Sequence, residues 1–406
     1  MIATFYPPYN FGGDGIYAQR LADELARRGH QVEVIHDADA YRLLAGREPE
    51  PGPPEHPNIT VHRLSSPFGL LSPLATQQTG RPLFHARRIQ EILARGFDVI
   101  HYHNISLVGG PKILEYGRGL KLYTLHEYWL VCPTHTLFRY NRAPCTQPHC
   151  LTCTLTYRRP PQWWRYTNLL PEAAKHVDAF LAPTPFVRDA HHARGFAGPI
   201  VHLPYFVPES APPDEASTPP GPGRERQPYF LFVGRLEKIK GLHTLIPVMR
   251  RYPQARLLIA GSGSEEARLR RLAGGDPRIE FLGRLSARQL QPLYRQAAAL
   301  VVPSLVYETT AFVIFEAFQQ QTPVIARKLG GMAGVVSDSG GGFTYNGDED
   351  LVRALDQILA DPIGRDAMGR RGYQTYTERW SPAAHMQAYF QLIGQLAGGR
   401  ASRQIS

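Results

Sequence analysis

The sequence has no apolar run long enough to cross a membrane. A spanning helix needs about 18–20 consecutive apolar residues, and no window of the 406 residues approaches that length. The first residues, MIATFYPPYNFGG, have neither a basic start nor a long apolar stretch, so no signal peptide is expected. We therefore expect a cytoplasmic protein.

Cysteine is scarce, with four in the whole chain. Without an export signal, so few cysteines are not expected to form a secreted disulfide framework. Hydrophobic residues make up 43% and charged residues 20%, an ordinary globular composition that excludes wholesale disorder and a collagen-like chain. At about 150 residues per domain, the length predicts two or three domains.

Acidic residues are outnumbered, with 35 Asp and Glu against 45 Lys and Arg, which gives a net charge of +10. Each half of the chain carries +5, and there is neither a basic tail nor an RNA-binding signature. A positive field spread in this way suits a nucleotide, a phospholipid surface or an acidic glycan as well as a nucleic acid.

Residues 208–228 hold seven prolines and almost nothing apolar, which predicts an interdomain linker. On both sides, apolar strand-like runs alternate with amphipathic helical runs, as in parallel α/β sheets. The predicted strands are 2–5, 32–36, 59–64, 99–102, 120–125 and 179–182, then 229–233, 256–260, 279–282, 300–302 and 323–326. The pattern predicts two doubly wound sheets, in domains 1–207 and 229–380.

The loops after these strands are the first candidates for a site, because open α/β sheets bind ligands outside the carboxyl ends of their strands. Gly12 and Gly13 precede a helix predicted at residues 15–28, and the pair fits either a ligand loop or a structural turn. His126 follows strand 120–125, where an imidazole either exchanges protons and hydrogen bonds or is a structural histidine.

Cations and glycines follow the strands of the second domain. Arg235 and Lys240, five residues apart and each beside a glycine, are compatible with a diphosphate clamp or with two solvated cations. Gly263 closes a Gly-x-Gly loop of the kind that brings backbone close to a base or a ribose.

The strongest signal follows strand 300–302. Thr309 and Thr310 are predicted at a helix N-terminus, where amides and hydroxyls would face a phosphate. Glu308 lies in the loop before them, and Glu316 follows about two helical turns later. An acidic side chain in so apolar a helix needs a partner, either a ribose diol or a buried arginine.

In this order and with these intervening strands, the motifs resemble the retaining glycosyltransferases of glycosyltransferase family 4, which have the GT-B fold. The similarity covers nearly the whole chain and is best in residues 229–345. It implies two Rossmann-like domains facing each other across a cleft, with a nucleotide-sugar bound mainly to the second. It also implies that the C-terminal helix, in residues 381–406, packs on the first domain.

The resemblance assigns roles residue by residue. Residues that act on the diphosphate or on the transferred sugar would be Arg235, Lys240, Glu308 and His126. Further donor-binding residues would be Gly12, Gly13, Gly263, Leu285, Thr309, Thr310, Ala311 and Glu316, with Gly13 near the diphosphate and Glu316 on the ribose.

The family's chemistry implies a hexosyltransferase that retains anomeric configuration, without an enzyme nucleophile and without a catalytic metal. Arg and Lys would replace the metal cation at the diphosphate. The family usually has a Gly-Phe-Gly segment after the first glutamate, whereas this chain has Thr309, Thr310 and Ala311. A methyl group at position 311 narrows the space for the sugar.

All four cysteines, Cys132, Cys145, Cys150 and Cys153, lie in an insertion at residues 132–153 that closes with Cys-x2-Cys. Four thiolates can hold a structural zinc ion, and free thiols or disulfides are the alternatives. Some family 4 relatives carry a similar cysteine run. The aromatic and basic stretch Tyr157–Leu170 fits either anionic lipid headgroups at a membrane surface or a plain core-edge segment.

Together these features predict an enzyme that moves a sugar from a nucleotide-diphosphate sugar to a hydroxyl of a glycan, lipid-linked saccharide or small metabolite. Polysaccharide biosynthesis is the expected context from the resemblance. A nucleotide-sugar epimerase or hydrolase of the same fold is the alternative. A nucleic-acid-binding zinc protein is disfavoured by the even distribution of charge.

Overall fold

The computed structural model describes residues 1–209 and 227–405, with side chains as far as Arg400. Residues 210–226, most of the predicted linker, lie outside the described residues. The chain forms two compact units. Unit 1 contains residues 1–205 and 386–406, and unit 2 contains residues 206–385.

Unit 1 is built on parallel β-structure. Its strands are β1 Val32–Asp37, β2 Ile59–Leu64, β3 Val99–Tyr102, β4 Leu120–Thr124, β5 Phe138–Arg139, β6 Ala143–Pro144, β7 Ala179–Ala182 and β8 Ile200–His202. Strands β1 and β2 pair in parallel, and β3, β4, β7 and β8 form a second parallel group in that order. The short pair β5–β6 is antiparallel.

The start of the chain joins the two parallel groups of unit 1. Ile2 forms parallel bridges to Ile35 of β1 and to Tyr102 of β3. The strand predicted at residues 2–5 is thus reduced to a single bridging residue. The reason is that the Thr4 amide donates to the carbonyl of Asn104, which lies in a loop and not in a strand.

Helices cover this sheet. They are α1 Gly13–Arg27, α2 Ala38–Ala45, α3 Leu71–Thr79, α4 Ala86–Leu93, α5 Cys150–Thr156, α6 Leu169–Ala174, α7 Pro185–His192 and, at the end of the chain, α15 Pro382–Ile405. Residues 386–405 of α15 lie in unit 1. There Tyr389 contacts the ring of His101, and Arg400 forms an ion pair with Asp178.

Unit 2 contains one parallel sheet of six strands. They are β9 Tyr229–Val233, β10 Arg256–Ala260, β11 Ile279–Gly283, β12 Ala299–Val302, β13 Val324–Arg327 and β14 Gly342–Tyr345. The strand order is β11-β10-β9-β12-β13-β14. The prediction of two doubly wound parallel α/β domains is therefore confirmed, and β14 is a strand that the sequence pattern did not predict.

The helices of unit 2 are α8 Leu242–Arg250, α9 Glu266–Ala273, α10 Ala287–Gln296, α11 Phe312–Gln319, α12 Gly331–Ser339, α13 Asp348–Ala360 and α14 Pro362–Thr375. Its core joins strand residues such as Phe230, Leu257 and Val301 to helix residues such as Leu245 and Leu355. Each such side chain contributes roughly 1.5–3 kcal/mol on burial. Among the helices described in either unit, none is both long and apolar enough to span a bilayer.

Candidate active site

The candidate site of unit 2 lies where the direction of strand addition reverses. Strands β10 and β11 are added on one side of β9, and β12 is added on the other. Loops at the carboxyl ends of strands on the two sides of such a point form the ligand crevice of open α/β sheets. The predicted residues Arg235, Gly263 and Glu308 follow β9, β10 and β12.

Glycines allow the first two of these loops to touch. A Cβ atom on Gly261 would lie 1.9 Å from the carbonyl oxygen of Gly234, and one on Gly263 would lie 2.5 Å from that of Leu236. The Leu236 amide donates to the carbonyl of Ser262 at 2.9 Å. The glycine at 263 therefore has a packing role, beside the donor contact that the sequence predicts for it.

Lys240 and Glu308 form an ion pair, with 2.6 Å between Nζ and Oε1. The Ser304 hydroxyl donates to the same carboxylate oxygen at 2.9 Å. Lys240 ends a short 3-10 turn, and Gly241 follows it with a φ of +75°. A Cβ on Gly241 would lie 1.9 Å from the Pro303 carbonyl oxygen, so the backbone is tightly packed where the two charges meet.

Arg235 and Lys240 differ in their surroundings. The side chain of Arg235 is 53% exposed and pairs with Glu237 at 2.6 Å, whereas the side chain of Lys240 is only 23% exposed. Lys240 is therefore held in place by its carboxylate partner. Arg235 lies at the surface of its loop.

The segment after Glu308 is mostly buried. Gly331 donates to the Glu308 carbonyl at 3.0 Å, which ties this loop to the start of α12. Thr309 and Thr310 are buried, and the Thr310 hydroxyl has no hydrogen-bond partner among the described residues. Helix α11 begins at Phe312 with Ala311 as its N-cap, so both threonines precede the helix instead of occupying its first turn.

Glu316 is half-buried on α11, and the Tyr294 hydroxyl donates to its Oε2 at 3.1 Å. Burial, followed by the nearby Glu316 carboxylate, raises the pKa of Tyr294 well above its ordinary value. Tyrosine is thus a partner that the sequence analysis did not consider. Leu285 is half-buried two residues after Gly283, which ends β11 with a φ of +70°.

In unit 1, Gly12 is the N-cap of α1 and Gly13 is its first residue. Asn10 holds the turn, because its Nδ2 donates to the Gly12 carbonyl at 2.8 Å. Gly13 is exposed, whereas Gly15 is buried and a Cβ there would lie 2.3 Å from Asn10 Oδ1. The structure therefore explains Gly15 by packing and leaves Gly12 and Gly13 accessible.

His126 lies in a row of hydrogen-bonded rings in unit 1. Its Nδ1 is 2.6 Å from the Tyr205 hydroxyl, and its Nε2 is 2.9 Å from Nδ1 of His103. Burial lowers the pKa of His126 to about 3 and that of His103 well below its ordinary value. Both rings are therefore neutral at ordinary pH and can pass hydrogen bonds, but they carry no charge.

Two further polar pairs of unit 1 were not predicted from the sequence. Asn104 donates to Asp14 Oδ2 at 3.1 Å, and burial, with a smaller effect of Glu127, raises the pKa of Asp14. Glu127 also contacts His135 Nδ1 at 2.8 Å. The signal in the sequence was an acidic residue directly after the paired glycines at the start of a helix.

A buried acidic group at the end of β1 was also missed. Asp37, Asp39 and His85 could together hold a metal ion, because their ligand atoms all lie within 4.8 Å of one another. Among the described residues, no other group of three or more His, Cys, Asp or Glu side chains meets this criterion. Burial raises the pKa of Asp37 to about 7. Asp37 also caps α2 by accepting the amides of Asp39 and Ala40.

The four cysteines come together although no disulfide links them. Cys132, Cys145, Cys150 and Cys153 are free and line one cavity of about 20 Å³. Burial, and then the neighbouring cysteines, raise the pKa of the Cys145 and Cys150 thiols. The predicted metal-ligand cluster is thus one spatial group, although its sulfur atoms are more widely spaced than the set at Asp37.

The aromatic and basic stretch Tyr157–Leu170 has two sides. Trp164 is buried and donates to the Gln77 carbonyl at 2.9 Å, whereas Trp163 and Tyr166 are 60% and 66% exposed. The segment borders a groove of about 1070 Å³ in unit 1, which combines apolar residues such as Leu170 with cations such as Arg400. The groove does not include His126.

Two family models match the chain. Residues 11–210 match the model described as Glycosyltransferase Family 4, and residues 215–375 match the one described as Glycosyl transferases group 1. An uncharacterized glycosyltransferase of Methanocaldococcus jannaschii is 33% identical, with 94% of each chain covered. A D-inositol 3-phosphate glycosyltransferase of an Arthrobacter species is 27% identical, over 88% of this chain and 84% of that protein.

A further relative matches in part. The lipopolysaccharide core biosynthesis glycosyltransferase LpsE of Rhizobium meliloti is 33% identical over 41% of this chain, a match that spans about half of LpsE. Among solved structures, sucrose-phosphate synthase of Thermosynechococcus elongatus aligns with a TM-score of 0.72 at 23% identity and 98% coverage of both chains. Anabaena HepE in complex with UDP-glucose aligns with a TM-score of 0.66 at 18% identity and 99% coverage of both.

Proposed function

Because the chain belongs to the family 4 glycosyltransferases and has the GT-B fold, we propose that unit 2 binds a nucleotide-diphosphate sugar and that the enzyme transfers its sugar with retention of anomeric configuration. The observation that carries this proposal is the Lys240–Glu308 pair at the switch point of the unit 2 sheet. The complex of the structural neighbour HepE with UDP-glucose supports this choice of donor class.

The donor diphosphate binds beside Arg235 and Lys240. An ammonium group has three donors, so Lys240 can keep its bond to Glu308 while it donates to a phosphate oxygen. The arginine fork, which is half-exposed here, can take two oxygens. Fixed cations at this position stabilise the negative charge that grows on the leaving phosphate, which is electrostatic preorganisation.

Other residues of unit 2 hold the rest of the donor. Glu316 accepts the ribose hydroxyls, in a position fixed by Tyr294. Thr310 offers the donor its unpartnered hydroxyl, while Thr309 and Ala311 present backbone groups. The loops at Gly263 and Leu285 border the base, and Glu308 contacts the sugar.

The transfer step exchanges one bond at the anomeric carbon for another. The bond from that carbon to the phosphate oxygen breaks, and a bond to the acceptor hydroxyl oxygen forms on the same face. The hydroxyl proton passes to the departing phosphate, so neither an enzyme nucleophile nor a metal takes part. In unit 1, Gly12 and Gly13 are proposed to offer backbone groups to the diphosphate. His126 is proposed to contact the transferred sugar, for which it must exchange its hydrogen bond to Tyr205 or to His103, because these two residues occupy both of its ring nitrogens.

The acceptor is proposed to be a glycan or a lipid-linked saccharide. The groove in unit 1 combines apolar and cationic lining, which suits the lipid part of an amphiphilic anionic acceptor, and the saccharide part would have to reach His126 outside the groove. The rings of Trp163 and Tyr166 are exposed, and they are the side chains proposed to contact anionic lipid headgroups. More of the wild type than of a Trp163→Ala, Tyr166→Ala double variant should co-sediment with vesicles that contain anionic lipid. Equal co-sedimentation of the two proteins would refute the membrane contact.

The release of nucleoside diphosphate tests the proposed function. UDP-, GDP-, ADP- and dTDP-sugars are incubated with the enzyme, with and without a glycolipid extract, and the product is analysed by NMR. Release from one donor that rises with the extract, and a product with unchanged anomeric configuration, are expected. Turnover indifferent to any acceptor would instead support the hydrolase or epimerase alternative.

Metal independence has its own test. Transfer is expected to persist without added divalent cations and after brief EDTA treatment, with the zinc content of the same sample measured. Activity that is lost in EDTA and restored by magnesium or manganese, at constant zinc content, would contradict the metal-free mechanism.

A further inference from the structure

The segment at residues 132–153 brings its four cysteines to the wall of one small cavity, although no three of their sulfur atoms lie within 4.8 Å of one another. Cys132 lies in the loop after β4, Cys145 follows β6, and Cys150 and Cys153 lie on the first turn of α5. Residues three apart on a helix share a face, so the last two thiols point the same way. All four line one cavity of about 20 Å³, which is close to the room that a single water molecule or ion requires.

The backbone of this insertion is strained. Six residues other than glycine have positive φ in the described chain, and His135, Leu137, Tyr140 and Asn141 are four of them. All four lie between Cys132 and Cys145, and such conformations cost about 1–3 kcal/mol each unless the surrounding structure enforces them. The antiparallel pairing within the insertion covers only two residues on each side, which is little support for that strain.

One backbone amide and two arginines lie near the cysteines. The Tyr140 amide donates to Cys153 Sγ at 3.3 Å, a contact of the kind that orients thiolate ligands of metals. Arg165 is half-buried and lies over Trp164, with its guanidinium carbon 4.6 Å from the ring centroid, and its Nη2 has no hydrogen-bond partner among the described residues. Arg194 donates to the Cys145 carbonyl at 2.8 Å. These cations suit a site with negative charge.

We propose that Cys132, Cys145, Cys150 and Cys153 bind one zinc ion, which holds the insertion in its strained conformation. Four thiolates around Zn²⁺ give a closed tetrahedral site with a net charge of −2, and the nearby arginines compensate that charge. With all four positions filled by protein, the metal takes no part in the transfer of sugar. This inference does not depend on the proposed function.

The zinc site also positions the segment after His126. The His135 amide donates to the Cys132 carbonyl at 3.0 Å, and the Tyr128 amide donates to the His135 carbonyl at 3.0 Å. The ring of His135 contacts Glu127 at 2.8 Å. Loss of the metal would therefore release Glu127 from its position in unit 1 and leave the Lys240–Glu308 pair of unit 2 unchanged.

Metal analysis of the purified full chain tests the proposal. About one zinc per chain is expected for the wild type, and much less for Cys132→Ser and for Cys153→Ser. His149 also lines the cavity but is not assigned as a ligand, so His149→Ala is the matched control and should keep its zinc. A metal-free wild type, four thiols that react with a thiol reagent without any release of zinc, or a disulfide found by mass spectrometry would each overturn the proposal.

A second readout covers variants that fold poorly. Zinc released from the wild type by a thiol-modifying reagent should appear with the loss of the four thiols, and protease cleavage within residues 132–153 should accelerate as zinc leaves. Binding of nucleoside diphosphate to the same sample should remain, because those contacts belong to unit 2. Cleavage at an unchanged rate after zinc removal would contradict the stabilising role.

Discussion

Among single residues, Glu316 is a half-buried carboxylate that is proposed to accept the hydroxyls of the donor ribose. Tyr294 donates to one of its oxygens from a buried position, which limits the orientations of the carboxylate. Hydrogen bonds to a charged group contribute about 1.5–3 kcal/mol, so Glu316→Ala should weaken nucleoside diphosphate binding about 10- to 100-fold. Titration calorimetry measures this effect, and Tyr294→Phe should give a smaller loss in the same direction.

Glu266→Gln is the matched control for that experiment. Glu266 belongs to unit 2 and pairs with Arg270 on α9, where the proposed site does not extend. Its removal should leave the affinity unchanged. An equal loss in the control, or unchanged affinity in Glu316→Ala, would separate Glu316 from the donor site.

Asp37 provides a pH-dependent prediction. Its pKa is raised to about 7 by burial, while the unfolded chain has the ordinary value near 3.8. Between these values the folded state keeps a proton that the unfolded state releases, so the contribution of Asp37 to stability falls as pH rises through that window. Asn keeps the cap of α2 without this cost. We therefore compare the unfolding temperature of Asp37→Asn with that of the wild type at each pH. The difference, variant minus wild type, should be a few degrees larger at pH 8 than at pH 5.

Thermal unfolding of both proteins at the two pH values measures this difference. A metal ion held by Asp37, Asp39 and His85 would give the opposite sign, because the variant would then lose more stability at pH 8. A difference that shrinks or reverses with rising pH would therefore contradict the assignment of Asp37 as a buried, protonated carboxyl.

At the scale of elements, the loops of unit 2 depend on glycines for two separable reasons. Gly241 and Gly283 have similar φ values, +75° and +70°. A Cβ at Gly241 would collide with the Pro303 carbonyl, whereas one at Gly283 would meet nothing within 4 Å. Gly283→Ala should cost only the strain of a left-handed alanine, about 1 kcal/mol. Gly241→Ala adds a backbone collision and should cost roughly 2–4 kcal/mol.

Urea unfolding of the two variants separates the two costs, since the backbone conformation is matched. Gly241→Ala should also lose donor turnover, because Lys240 is its direct neighbour. Equal destabilisation of the two variants would mean that the loop moves to accommodate the extra methyl group.

Strands that are buried on both faces, such as β9 and β12, were predictable from the sequence. Each of them is a short run of apolar residues. The first strand was overpredicted because apolarity alone does not show which backbone partners are available to Thr4. Strand β14 was missed because Gly342–Tyr345 has glycine and threonine in place of a continuous apolar run.

The sequence predicted which loops carry the residues of the candidate site. It did not predict which of their side chains contact one another. The order of motifs placed Lys240 and Glu308 in different loops, and only the structure joins them 68 positions apart in the chain. The hydrogen bonds of His126 to Tyr205 and His103 could not be predicted, because residues far apart in sequence form them. Cysteine spacing indicated a common cluster, but not the strained backbone that it encloses.

Over the whole molecule, the histidines are unevenly divided, since unit 1 contains 14 of the 16. Burial lowers the pKa of His36 and His126 to about 3 and that of His191 to about 4. Between about pH 6.5, the ordinary pKa of histidine, and these lowered values, the unfolded state binds more protons than the folded state. The free energy of unfolding therefore falls as the pH drops through that window. Asp37 acts in the opposite sense but is outnumbered.

Calorimetry should therefore show that acidification from pH 7.5 to pH 5 lowers the unfolding temperature. His36→Gln, which removes one buried and neutral histidine, should reduce that decrease. An unfolding temperature that is constant or higher at pH 5 would contradict the neutral state assigned to these rings.

Lys240, paired with Glu308, is proposed to mark the donor diphosphate site. The most direct measurement compares nucleoside diphosphate release by wild type, Lys240→Ala and Lys238→Ala on the preferred donor. Lys238 belongs to the same turn and is exposed, so its variant removes the same charge without touching the pair. We expect kcat/KM to fall about 10²- to 10³-fold in Lys240→Ala, the scale for loss of one preorganised charge contact. In Lys238→Ala it should stay nearly unchanged. Equal activity in all three proteins, or equal loss in both variants, would contradict the proposal.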